Sequence, residues 1–300
     1  MEIHQLRYFL AVAAARNFSR AAERCHVAQP SLSQQILKLE DELGERLFDR
    51  GAREARLTAA GELFRPHAER ALAELEQARQ TIDAARGRLR GRVALGCIPT
   101  VAPYYLPGLL QAFTARHREI EVVVTEATTV QLMRAVEARE IDLALVSLPV
   151  IGRGLTTTEV FAEALWVALP EGHALAARDT VRPAELAEEP FLLLQDGHCL
   201  AGQALEFCAL RGFAPKVTFR SAQLETIQAF VAAGLGVSIV PTMARRAAAD
   251  ARGVVYRALA GRTPVRKIGL LLPEGRAPGE ATRALVEFVC EDGVGRAEPG

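Results

Sequence analysis

NFSRAAERCHVAQPSLSQQILKLEDELG, residues 17–44, is the stretch on which the reading of the whole chain turns. Ser19 can cap a short helix running over Arg20 to Arg24. Cys25, His26 and Val27 then form a turn. Gln29-Pro30 opens a second helix, because proline lacks only an N–H that the first turn leaves unpaired anyway. Leu32, Ile36, Leu39 and Leu43 follow at spacings of four, three and four, the apolar stripe of one helix face, and Gly44 ends it. Upstream, Leu6, Phe9, Leu10 and Ala13 mark an earlier helix. Two helices joined by a short turn, the second carrying Gln29, Ser31, Ser33, Gln34 and Lys38, match the geometry of major-groove reading. Glutamine can pair bidentately with adenine, and serine can bond base edges or phosphates. A helical hairpin with ordinary polar decoration would show the same spacing.

Working outward, LFDRGAREARLT (residues 47–58) predicts a small two-stranded wing. Its Arg50, Arg53 and Arg56 alternate with smaller or acidic residues and can reach phosphate or the narrow groove. Bulk charge adds nothing to this. The chain has a formal net charge of zero, and residues 1–58 hold nine lysines and arginines against eight acids. A DNA-binding assignment therefore rests on pattern.

From Thr58, an expected N-cap, a long helix is predicted to about Arg90. Phe64, Ala68, Ala71, Leu75, Ala78, Ile82, Ala85 and Leu89 alternate steps of four and three, which is a coiled-coil seam. Polar residues occupy the other faces, so a seam between two chains is expected. Beyond it, apolar strand runs such as RVALGC, IDLALVS, PFLLLQ and KIGLLLP alternate with amphipathic helices. That alternation predicts parallel sheets covered on both faces. The expected fold class is α/β. Residues 1–58 form a winged helix-turn-helix and residues 59–90 a dimerisation helix. Residues 91–300 form a second module, split into a first subdomain (91–162 and 268–300) and a second (163–267).

Three hundred residues exceed what one core usually carries, which agrees with this division. No apolar run is long enough to span a bilayer, and the N-terminus, with Arg7 inside it, is unlike a signal peptide. A cytoplasmic location with no membrane partner follows. There, the five cysteines (Cys25, Cys97, Cys199, Cys208 and Cys290) are not expected to form permanent disulfides. No CxxC pair is present, so no metal site is expected.

QDGHCLAGQALEFC, residues 195–208, sets Cys199 and Cys208 nine residues apart. A helix capped by Asp196 or His198 would separate them by about 13.5 Å of rise and half a turn. A helix starting only at Gly202 would still place Cys208 about 9 Å along. A disulfide needs Cα atoms within about 7 Å, so the spacing disfavours a bond while the helix is intact. Gly202 weakens such a helix by about 1 kcal/mol relative to alanine. Cys199 lies at a helix N-terminus, where partial positive charge favours an anion, and His198 adjoins it. A redox pair and two inconsequential thiols both remain open at this point. Thr100 and Thr129, at helix starts, read as caps in any α/β fold.

The stretch MEIHQLRYFLAVAAARNFSRAAERCHVAQPSLSQQILKLEDELGERLFDR, followed by RLTAAG, resembles the N-terminus of LysR-type transcriptional regulators over roughly residues 1–65. The resemblance implies the winged helix-turn-helix, the linker helix and a two-subdomain effector module like a periplasmic binding protein. It also implies that the positions of Gln29, Pro30, Ser33, Gln34 and Arg50 face DNA. With these we group Ser19, Ser31, Lys38 and Arg53. HC, eight residues and then C is similar to the peroxide-sensing branch of that family. That likeness implies that Cys199 is oxidised by hydrogen peroxide and that Cys208 resolves the sulfenic acid as a disulfide. It implies a peroxide pocket at Thr100, Thr129 and His198, with Arg266 near the reactive sulfur. An arginine is common two positions after the first cysteine, followed by an acid; here Ala201 and Gly202 stand instead, which puts the response threshold in question.

The expected function is therefore a cytoplasmic, cofactor-free transcriptional activator. Its expected partners are double-stranded promoter DNA, RNA polymerase and its own copies as a homodimer or homotetramer, with hydrogen peroxide as signal. One alternative is a LysR-type regulator whose inter-subdomain cleft takes a small metabolite, with the cysteines incidental. The other is an enzyme such as a thiol peroxidase, which the DNA-binding module argues against.

Overall fold

The computed structural model describes residues 1–49, 54–85, 89–248, 253–261, 263–275 and 277–296. Arg50 and Arg53, expected on the wing, lie outside the described residues. The chain divides into two compact units, Met1–Arg88 and Leu89–Gly300.

In the first unit, α1 (Ile3–Ala15), α2 (Phe18–Arg24) and α3 (Gln29–Leu43) precede a short antiparallel pair, β1 (Phe48–Asp49) and β2 (Arg56–Leu57), and the long α4 (Ala59–Ala85). Asn17, not Ser19, caps α2: its Oδ1 accepts the Arg20 N–H at 3.0 Å. The chain is still extended at Asn17, whereas Ser19 already lies inside the first turn, too late to cap it. Leu32, Ile36 and Leu39 are fully buried, as their spacing requires. Leu43, expected to continue that stripe, is 38% exposed. The inward place is taken by Glu40, which is 4% exposed and whose Oε1 accepts the N–H groups of Leu47 (2.9 Å) and Phe48 (3.1 Å). Those buried donors need an acceptor at the start of the wing, and a leucine cannot supply one. Around Phe9, the rings of Phe48 and Phe64 close the core at 5.4 and 5.2 Å between centroids.

Thr58 caps α4 as predicted, accepting the Gly61 N–H at 3.1 Å. Gly61 is required by close approach: a Cβ there would fall 2.2 Å from the Leu47 carbonyl oxygen. Along the predicted seam, Ala68 is buried against its own unit, but Leu75 and Ile82 are 41% and 56% exposed.

The second unit runs β3 (Gly91–Cys97), α5 (Ala102–Arg116), β4 (Ile120–Glu126), α6 (Thr129–Glu137), β5 (Leu143–Leu148), β6 (Leu155–Pro170), β7 (Thr180–Val181) and β8 (Pro190–Leu194). It continues through α7 (Cys199–Leu210), β9 (Lys216–Ser221), α8 (Leu224–Ala232), β10 (Ser238–Pro241), α9 (Thr242–Ala247), β11 (Val254–Leu259), β12 (Val265–Pro273) and α10 (Glu280–Arg296). The main sheet has the order β4-β3-β5-β12-β6-β11-β7, with β10 also paired to β6 and β8-β9 forming a two-stranded sheet.

The all-parallel expectation does not hold. β3 pairs with β4 and β5 in parallel, but β12 runs antiparallel to both β5 and β6, and β10 and β11 are antiparallel to β6. A strand covered on both faces has the same apolar sequence whichever way its neighbour runs. The first half of β6 and all of β11 escape a search for apolar runs because they are largely half-buried or exposed.

Two cores form within this unit. Val93, Leu95, Leu145 and Ile268 belong to one, and Leu165, Phe191, Val231 and Ile239 to the other. The 16-residue β6 passes from the first, at Val160 and Phe161, into the second, at Leu165 and Val167.

Replacing Glu40 by alanine would leave two buried N–H groups without their acceptor. We expect a loss of about 2–4 kcal/mol from the first unit, with Glu40→Gln losing less than half as much, read by chemical denaturation followed at that unit.

Candidate functional site

The site is built where α7 meets α6. The backbone at His198 is extended and Cys199 is the first helical residue, so the earlier of the two sequence-predicted starts is the one realised. Both cysteines therefore lie in one continuous helix, nine residues and about 13.5 Å of rise apart. Both are free thiols. The apolar face of α7, formed by Leu200, Ala201, Ala204, Phe207 and Cys208, packs into the second core. Cys208 is fully buried, and burial pushes its thiol up to about 11.

Cys199, half-buried, is held differently. Its Sγ lies 2.8 Å from Thr129 Oγ1. Thr129 was expected to cap α6, but Thr128 does so, in a reciprocal box with Gln131. Thr129, one residue further in, is left with a hydroxyl free of capping duty and directed to the sulfur. His198 makes no side-chain capping bond. Desolvation holds its imidazole below the usual range, opposed by the carboxylate of Glu126, which favours the neutral ring.

The other two predicted pocket residues form a second pair. Thr100 is no cap either: Val101 occupies that place on α5. Instead Thr100 Oγ1 and its carbonyl oxygen accept from Arg266 Nη1 and Nη2 at 2.9 and 3.0 Å. Arg266 is 1% exposed and ion-pairs with Glu163, directly opposite it on β6, at 2.7 Å. Glu163 Oε2 also accepts the N–H of Met243 at the start of α9. Glu163 gave no signal in the sequence, because a lone acid in an unrecognised stretch of strand resembles any surface residue.

Gln203 was also missed. From one turn along α7 its Nε2 donates to Ser147 Oγ on β5 at 2.9 Å, and its buried Oε1 has no hydrogen-bond partner among the described residues. Helical spacing from Cys199, a step of four, was the one available clue. Cys97 reads as core: it is fully buried, and desolvation raises its thiol strongly.

Thr129, His198 and Cys199 line an open depression of about 320 Å³, whose remaining wall comes from Val130, Asp196, Gly197, Ala201, Gly202 and Leu205. Thr100 and Arg266 are not part of that wall. The structure thus brings the predicted residues together as two pairs, Thr129 with Cys199 and Thr100 with Arg266.

In the first unit, Gln29, Pro30, Ser31, Gln34 and Lys38 are exposed along α3, and Ser33 is half-buried. Gln29 Nε2 donates to Ser33 Oγ at 2.9 Å. Ser19 is exposed in the first turn of α2.

Residues 3–62 match the model of the bacterial regulatory helix-turn-helix protein, lysR family, and residues 86–293 match the LysR substrate binding domain. The chain belongs to the LysR family. A DNA-binding transcriptional dual regulator, OxyR of Escherichia coli K12, is 36% identical over 291 residues, covering 97% of this chain and 94% of that one. Among solved structures, a full-length OxyR from Pseudomonas aeruginosa with a cysteine-to-aspartate substitution matches at TM-score 0.76 and 30% identity, covering 99% of this chain and 96% of that one. A Corynebacterium glutamicum OxyR cysteine-to-serine mutant, with hydrogen peroxide bound, matches at TM-score 0.67 and 29% identity, covering 98% and 94%. As a LysR-family regulator the chain is a DNA-binding protein, with α3 on its helix-turn-helix.

Burial and a raised thiol both protect Cys208, whereas Cys199 opens on the depression. Iodoacetamide at pH 8 is expected to alkylate Cys199 at least tenfold faster than Cys208 in the native protein. The two rates should converge in denaturant, as read by peptide mass spectrometry.

Proposed function

We propose that this chain is a peroxide-responsive transcriptional activator that switches through a reversible Cys199–Cys208 disulfide. One observation carries the reading: the exposed end of α7 presents Cys199 beside Thr129 Oγ1, while the same helix holds Cys208 buried and out of reach. Relatives named as hydrogen peroxide-inducible genes activators, and the OxyR structure with hydrogen peroxide bound, support the same signal.

The Cys199 thiolate attacks one oxygen of hydrogen peroxide. The S–O bond forms as the O–O bond breaks, and the departing hydroxide takes a proton to leave as water. The Thr129 hydroxyl orients the sulfur and the peroxide, and His198 can donate to the thiolate or accept from the peroxide. Thr100 and Arg266 form the second pair, with Arg266 held against Thr100 by its ion pair with Glu163. Cys208 then displaces water from the sulfenic acid.

That second step requires α7 to unwind, because a disulfide cannot span two and a half helical turns. Unwinding withdraws Cys208 and its apolar neighbours from the second core, so the local bond alters the subdomain that α7 supports. Gly202 lowers the cost of unwinding by about 1 kcal/mol relative to alanine.

The change is read out through DNA. Gln29, Pro30, Ser31, Ser33, Gln34 and Lys38, with Ser19 and the wing arginines Arg50 and Arg53, contact the operator. The exposed Leu75 and Ile82 seam of α4 pairs with a second copy, and two such dimers form a tetramer whose rearrangement alters the contact with RNA polymerase. The switch needs no cofactor.

Stoichiometric hydrogen peroxide is expected to remove two of the five thiols, with recovery on reduction and no loss of the pair in Cys199→Ser. Footprinting on a target promoter is expected to differ between the reduced and oxidised forms. An unchanged thiol count together with an unchanged footprint would sink this reading.

A further inference from the structure

Two elements of the first unit are assigned to DNA, α3 and the wing, and the side chain of Glu40 spans the junction between them. Gly44 ends α3 in the left-handed region, at φ 70°, and the chain enters β1 at Phe48. From about one turn before that end, Glu40 reaches seven and eight positions forward, where its Oε1 accepts from both Leu47 and Phe48. Two consecutive N–H groups converging on one oxygen fix the strand in two directions, where a single bond would let it pivot.

The two gripped residues are each 1% exposed. Leu47 also gives its carbonyl oxygen to the N–H of Thr58, just past β2. Phe48 pairs with Leu57, and Asp49 with Arg56. Arg56, exposed, therefore stands one residue pair beyond the point that Glu40 holds. Charge alone does not explain an acid in this place. DNA is a polyanion, so a carboxylate in the unit that binds it opposes binding.

We infer that Glu40 is a positioning residue for DNA binding: it sets the wing against α3 so that Arg56 meets a phosphate while α3 lies in the major groove. The inference goes beyond the peroxide switch and does not depend on it. Reach separates this role from charge. In Glu40→Asp the carboxylate stays, but its oxygens are withdrawn by about 1.5 Å, out of hydrogen-bond reach of both donors. In Glu40→Gln the charge goes, but an oxygen keeps the same reach and accepts more weakly.

The test uses the full chain under reducing conditions. Its probes are a duplex selected by the wild-type chain from a random-sequence library and an unselected duplex. Affinity is measured by fluorescence anisotropy from about 50 to 200 mM salt. Arg56→Ala should make the slope of log affinity against log salt shallower by about 0.9 per wing. Glu40→Ala and Glu40→Asp should lose that same slope, and Arg56→Ala added to either should change it no further. Both should weaken binding to the selected duplex about fivefold or more. Glu40→Gln should fall between wild type and Arg56→Ala, keeping more than half of the slope at stake. A purely structural role would lower the folded fraction and leave the slope unchanged. If neither Glu40→Ala nor Glu40→Asp folds, Glu40→Gln decides: an intermediate slope supports the inference, and one as steep as wild type or steeper overturns it. A wild-type slope in Glu40→Asp or in Arg56→Ala also overturns it, and leaves the helix-turn-helix assignment standing.

Discussion

Cys199 and Cys208 stand nine positions apart on one intact helix, and that separation sets the surroundings of both. A helix advances about 1.5 Å per residue and turns 100°, so the two sulfurs face different surroundings at different heights. One end of α7 is open to the depression beside α6, and the other is sealed in an apolar core. No covalent bond can join them without dismantling hydrogen bonds and burial together. The proposed disulfide would thereby couple sulfur chemistry to the packing of the second core, because Leu200, Ala204 and Phe207 share the face that buries Cys208.

The polar ties from α7 run to elements of the first core. Cys199 meets Thr129 on α6, and Gln203 reaches Ser147 on β5. The strand β6 joins the two cores, and its Glu163, between the two core segments, pairs with Arg266 on β12. An ion pair this buried is weak evidence for stability, since desolvation offsets most of its attraction. Its geometry matters more: Glu163 holds Arg266 against Thr100 with one oxygen and the start of α9 with the other. Removing either partner would leave an uncompensated charge at the passage between the cores.

The first unit follows a different logic. Its core is a cluster of aromatic rings around Phe9, and the buried acid Glu40 serves backbone donors of the wing. The polar residues of α3 stay on the outside because Leu32, Ile36 and Leu39 take the inside. The proposed DNA-reading face is thus the complement of a packing face, without the large positive charge usual in such domains.

Local pattern in the sequence determined a good deal of this protein. The apolar steps of residues 32–39, Pro30 at the start and Gly44 at the end specify α3, because helix period and caps depend on near neighbours. The nine-residue interval between Cys199 and Cys208 likewise implied a pair that an intact helix keeps apart. Tertiary structure decided what depends on residues remote in sequence. Antiparallel β12 is indistinguishable from a parallel strand until its neighbours are known. Asn17 and Thr128 took the caps expected of Ser19 and Thr129, and only then was the Thr129 hydroxyl available to Cys199. Glu163 became Arg266's partner across 103 positions, and Gln203 found Ser147 across 56. Nothing local distinguishes such residues from surface polar ones; they acquire their roles from burial, which only the folded chain imposes.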